Sequence, residues 1–180
     1  MKTDSNQKEF PMSESVQKIT RTALLCALLC VLSPLSFAVG PIPITLATLG
    51  IYLCGLLGGW IEGGCAVLLY LAIGCIGLPV FSSFRGGLSI FAGPTGGYLV
   101  GYLPCAALTA LGRGRSLPRR FLAMLLGTAI CYSLGTGWYM LQTGSGLFAA
   151  LSLCVLPFLP GDAIKITASA FLSRKLDSHI

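Results

Sequence analysis

Charge is scarce in this sequence. Of its 180 residues only 10% are Asp, Glu, Lys or Arg, and there is a single histidine, His179. A soluble domain ordinarily carries about a quarter charged residues, so a cytosolic α/β enzyme and a disordered tail are both excluded. Motifs that carry chemistry are missing as well. There is no Gly-x-x-x-x-Gly-Lys-Ser/Thr phosphate loop, no His-Glu-x-x-His and no Ser/His/Asp set. The chain therefore lacks that route to ATP, and an enzyme is hard to build from what remains. The cysteines (Cys26, Cys30, Cys54, Cys65, Cys75, Cys105, Cys131 and Cys154) lie in apolar stretches without a Cys-x-x-Cys pair. Metal sites show clustered Cys and His at short spacing. These thiols read instead as small hydrophobes packing helices, with no metal, no redox cofactor and no disulfide framework.

What is present is apolar. Hydrophobic residues make up 54% of the chain and the mean hydropathy is +0.82, the profile of a chain that lives in lipid. We read a first helix over 18–39, broken from a second over 45–59 by Gly40-Pro41-Ile42-Pro43. Glycines around Trp60 and Glu62 mark a turn. A third helix over 62–78, a loop over 79–94, a fourth helix over 95–111, an Arg-rich break over 112–120 and a fifth helix over 121–141 follow. Residues 147–156 are apolar but too short to span and read as a short helix at or dipping into the interface. Pro160 suits a helix start, so a sixth helix runs to Leu176. The expected organisation is a tail over 1–17, a six-helix membrane domain over 18–176 and a short end over 177–180. Residues 18–39 also mimic a signal peptide, but their apolar run is longer than the usual hydrophobic region.

The net charge of +6 is distributed at borders. Lys18 and Arg21 precede the first apolar run, Arg113, Arg115, Arg119 and Arg120 occupy one break, and Arg174 and Lys175 follow the last run. With the N-terminus in the cytoplasm, six crossings put every one of these clusters on the cytoplasmic side, as the positive-inside rule requires. No basic stripe interleaved with aromatics suggests nucleic acid.

Asp162 and Lys165 are the charges that fall where lipid should be. Three residues apart on a helix, they share a face. Lys165 precedes Arg174 by nine residues, so it lies about 14 Å from the border, beyond easy snorkelling. Even mild insertion scales assign such a residue a cost of about 2.5–3.5 kcal/mol. Either the pair is a self-satisfied internal lock, or it lines a polar pocket in which Asp162 accepts N–H groups and Lys165 holds Asp162 or an anion. Arg85, in an outer loop rich in Gly and aromatics, is either a solvated charge or the partner of a ligand carboxylate. Tyr52, Tyr98, Tyr132, Trp138 and Tyr139 are candidates for an interfacial belt, and Tyr98 and Trp138 equally for the wall of an apolar pocket. Ala23 and Ala27 form a small-xxx-small pair, either an internal packing seam or a docking surface.

Several stretches in order resemble the BioY family. They are Pro41-Ile42-Pro43-Ile44-Thr45-Leu46 with Leu49-Gly50, Leu68-Leu69-Tyr70-Leu71, Gly77-Leu78-Pro79-Val80-Phe81, Gly93-Pro94-Thr95-Gly96-Gly97-Tyr98, and Leu159-Pro160-Gly161-Asp162 with Lys165. The resemblance runs from about residue 18 to 176. It implies an all-α membrane protein with the six-helix fold of the S components of energy-coupling factor (ECF) vitamin transporters. It also implies a biotin pocket near the outer face, covered by two loops and the segment before the sixth helix. The expected partners are biotin, a transmembrane T component and a pair of ATPases, in the cell membrane, with no cofactor bound by the chain itself. Asp162 and Lys165 would meet the ureido ring. Thr45 and Tyr98 fall on family motifs as hydrogen-bonders, Ser83 falls where relatives carry an amide or glycine, and Ala23 and Ala27 would contact the T component.

Overall fold

The computed structural model describes residues 13–37 and 42–177. Most of the expected tail, Gly40 and Pro41 of the first break, and His179 lie outside the described residues. The chain is helical almost throughout. Helix α1 spans Glu14–Leu32, stopping well short of the expected residue 39. The stop falls at Pro34, which has no N–H to donate to the carbonyl one turn back; Ser33 before it keeps helical geometry. Ser33 still donates its N–H to the Leu29 carbonyl at 2.9 Å, and then the chain extends. Strands β1 (Ser36–Phe37) and β2 (Ile44–Thr45) pair antiparallel with Ser36 opposite Thr45. This small hairpin was not legible in the sequence.

Helix α2 (Ala47–Leu53), a π turn (Cys54–Gly58) and helix α3 (Gly59–Cys75) follow without an intervening loop. By length and composition they read as one 29-residue apolar run. They are not one rod. Along a straight helix Cys54 and Gly63 would stand about 13–14 Å apart, whereas a methyl group on Gly63 would overlap the Cys54 carbonyl. The reversal is made at Gly59, whose φ of +69° is natural only for glycine. Arg113 donates from Nη1 to the Gly58 carbonyl at 3.2 Å and so seals the reversal.

The 79–94 loop contains a 3-10 turn (Ser82–Phe84) and a single helical turn, α4 (Ser89–Ala92). Helix α5 (Gly96–Ala110) falls where expected. Helix α6 (Leu117–Thr143) is longer than expected at both ends, so the Arg-rich break shrinks and Arg119 and Arg120 sit in the first turn of α6. Pro118 causes this: its fixed φ and missing N–H suit a helix start. Helix α7 (Leu147–Cys154) is short, and α8 (Leu159–Asp177) leaves it at 50°.

Three apolar helical runs, or four with the bent α7–α8 pair, are long enough to cross a membrane. Large apolar side chains face outward all round the bundle, among them Ile19, Leu24, Val31, Ile61, Ile76, Leu141, Phe148 and Ile164. A water-soluble protein rarely exposes so continuous an apolar surface. The core is built of Leu29, Ile51, Tyr52, Leu56, Val67, Tyr70, Phe81 and Met124, each almost wholly buried.

Candidate functional site

A cavity of about 690 Å³, its mouth included, lies between α2, α5, α6 and α8 under the β1–β2 hairpin. The walls are mainly apolar and aromatic, with Ile42, Phe81, Ile90, Tyr98, Leu99, Tyr102 and Phe158 among them. Tyr132 stacks edge-on against both Tyr98 and Phe158, with ring centroids 6.4 Å apart in each case.

Asp162 and Lys165 line this cavity and are 3% and 6% exposed. Asp162 sits in the first turn of α8, where the helix dipole favours a carboxylate. Lys165 donates from Nζ to Asp162 Oδ1 and to Thr48 Oγ1, each at 3.1 Å. Thr48 passes its own proton to Asp162 Oδ1 at 3.4 Å, and Tyr132 donates its hydroxyl to Asp162 Oδ2. A buried ion pair is tolerable only when further hydrogen bonds satisfy it, and Thr48 and Tyr132 supply them. The cluster is electrically neutral and not quite full. A carboxylate offers about four acceptor positions and an ammonium three N–H groups, whereas three donors reach Asp162 and two acceptors reach Lys165. One acceptor and one donor remain beside the cavity, a pattern complementary to an N–H next to a C=O.

The other expected site residues divide. Thr45 lines the cavity, its hydroxyl accepting the Ala47 N–H at 3.2 Å and so capping α2. Tyr98 also lines it, but by its ring: the hydroxyl donates to the Cys154 carbonyl at 3.2 Å, tying α5 to the end of α7. Ser83 is absent from the lining and exposed; its backbone N–H donates to Ser36 Oγ at 2.8 Å, while Ser82 takes the place beside the cavity. Arg85 is likewise exposed and outside the lining, its Nε donating to the Ser82 carbonyl at 3.5 Å. Trp138 lies outside too, its indole N–H donating to the Gly93 carbonyl at 2.9 Å. Ala23 and Ala27 are exposed on α1, so they form no seam within this chain.

Sequence reasoning missed Thr48 altogether and assigned Tyr52 and Tyr132 only to a membrane belt. Tyr52 is fully buried, its hydroxyl 2.6 Å from Thr128 Oγ1. Because Thr128 gives its proton to the Met124 carbonyl at 2.7 Å, Tyr52 must be the donor of that pair. The one available signal for Thr48 was its position three residues after Thr45, on one face of the helix expected over 45–59, although the structure puts Thr45 in β2.

Residues 3–180 match the model of the BioY family. The chain is 38% identical over 183 residues to the biotin transporter BioY of Rhodobacter capsulatus, covering 91% of this chain and 94% of that one. It is 33% identical over 163 residues to the probable biotin transporter BioY of Pyrococcus horikoshii, covering 91% and 98%. Among solved structures, the crystal structure of the S component for biotin from an ECF-type ABC transporter superposes with a TM-score of 0.84 at 28% identity. That superposition covers 93% of this chain and 95% of the other.

Proposed function

The chain belongs to the BioY family, and from that premise we propose that it is the substrate-binding S component of an ECF-type transporter, capturing biotin for uptake. It is a multi-pass membrane protein and acts as a binding subunit, not an enzyme. The observation that carries the reading is the Asp162–Lys165–Thr48–Tyr132 cluster beside an apolar cavity. The ureido ring of biotin brings N–H donors and a carbonyl to the open acceptor and donor of that cluster. Its thioether ring and aliphatic chain match the aromatic walls.

In the membrane domain over 18–176, the crossings are α1, α2 with its π turn, α3, α5, α6 and α8, with both termini in the cytoplasm and the cavity opening outward. The reversal at Gly59 supports counting α2 and α3 separately. Release into the cell then needs a T component and partner ATPases. The exposed Ala23/Ala27 face of α1 is the surface on which a transmembrane partner helix can approach closely.

Titration calorimetry on the purified protein tests the site. Hydrogen bonds to charged groups are worth about 1.5–3 kcal/mol, so Asp162→Asn and Lys165→Ala should each weaken biotin by roughly tenfold or more. Unchanged affinity in both variants would remove the site assignment, and equal competition by unrelated vitamins would remove the ligand.

A further inference from the structure

The cavity carries no net charge, and this decides which part of a ligand it reads. Among the described residues, Asp162 and Lys165 are the only charged side chains in its lining, and they hold each other at 3.1 Å. The sequence has little else to bring there. The stretches from Thr22 to Ile61, from Gly63 to Phe84, from Gly86 to Gly112 and from Phe121 to Gly161 contain no Asp, Glu, Lys or Arg. Arg85 is thus the one charge between Glu62 and Arg113.

The lining hydroxyls are largely engaged as well. Tyr52 donates to Thr128, Thr128 to the Met124 carbonyl and Tyr98 to the Cys154 carbonyl. Ser33 shares a 2.5 Å hydrogen bond with Tyr70. A ligand with an acidic tail therefore finds no counter-ion along the walls. If the ureido ring of biotin takes the open donor and acceptor of the Asp162–Lys165 cluster, the tail lies elsewhere. The reversed pose is disfavoured by charge. A carboxylate brought to the Lys165 ammonium also meets the Asp162 oxygen that stands 3.1 Å from it, and like charges that close repel. Against the apolar walls a carboxylate would be buried without a partner, at far greater cost than a neutral group. It is left to water at the mouth. Arg85 stands next to the lining, its Nε donating to the carbonyl of Ser82 at 3.5 Å, but its side chain is exposed. An ion pair in so open a position contributes little.

We infer that the cavity recognises the ureido head and is indifferent to the charge of the tail, so that its ligand class includes neutral esters and amides of biotin alongside the acid. This rests on the reading of the chain as a biotin-binding subunit and adds to it which end of the molecule is selected.

Titration calorimetry of the purified full chain with biotin, biotinamide and biotin methyl ester tests the inference. The amide nearly matches the acid in size and differs from it in charge. Both neutral compounds should bind within about fivefold of biotin, the most that an exposed ion pair with Arg85 accounts for. A larger loss for the amide would overturn the inference, since a carboxylate held by a charged donor is worth roughly tenfold or more. Biotinamide should also displace biotin completely from a single site, and binding without displacement would count equally against it. Arg85→Gln should weaken biotin by no more than about fivefold and leave biotinamide unchanged; a larger loss confined to biotin would make Arg85 the partner of the carboxylate and overturn the inference. Failure of biotin itself to bind would remove the biotin reading, whereas binding of biotin without the amide would leave that reading intact and remove this inference alone.

Discussion

The two ends of this bundle treat charge in opposite ways. Around the cavity, one cation and one anion are buried together, neutral overall and held by two hydroxyl groups. At the far end, cations outnumber anions along the sequence: Arg113 donates to a backbone carbonyl, Arg120 has a backbone carbonyl and a serine among its partners, and Arg115, Arg119 and Arg174 are exposed. The only acid of that end with a described partner in another helix is Glu62, 3.4 Å from Arg21. The contrast follows from the surroundings. Inside the bundle an unmatched charge has no water to stabilise it, so it is paired or absent. At a membrane border water and headgroups do that work, and a surplus of one sign is tolerated and useful.

That comparison can be broken most severely at the cavity. Asp162→Ala alone strands the Lys165 ammonium in a buried site, a change worth about 3–5 kcal/mol, and thermal unfolding should register it. Replacing both by apolar residues (Asp162→Leu with Lys165→Met) should restore stability to near the parent value while leaving biotin unbound. A double variant that folds and still binds biotin would show that the pair is a lock and not a binding element.

A smaller effect is expected at the reversal that sets the basic end against the cavity end. Gly59 holds φ at +69° with Arg113 Nη1 only 2.7 Å from where a β-carbon would stand. Gly59→Ala should cost about 1–3 kcal/mol, visible as a lowered unfolding temperature with biotin affinity nearly intact. The smallest change belongs to the partly buried ion pair across α1 and α3. Glu62→Gln should shift stability by about 1 kcal/mol or less, and salt should erase the difference. A loss as large as that of Asp162→Ala would mean that the two ends are not electrostatically distinct.

Much of the fold was legible along the chain. Runs of apolar residues, Pro118, Pro160 and the glycines near Trp60 placed the helices to within a few residues, because each acts on backbone torsions within one turn. The errors came where a local signal was passed over, as with Pro34 ending α1, or where pairing needs two segments, as with the β1–β2 hairpin. In the site, Asp162 and Lys165 stood out because an ionisable group in hydrocarbon is costly wherever it points. Arg85, Ser83 and Trp138 were named from their position in outer segments, and the fold turns each of them to a backbone or serine partner outside the cavity.

Composition and order of residues thus determined that this chain is a helical membrane protein with one ionised pair kept at depth. Only the tertiary structure decided which hydroxyls complete that pair. Thr48 and Tyr132 look like any other hydroxyl in an apolar helix, and a hydroxyl's cost of burial is small enough to be met by its own helix. Thr48 stands 114 residues from Asp162 in the chain. What makes it a partner is the packing of α2 against α8, a property of the assembled bundle that no local stretch of sequence carries.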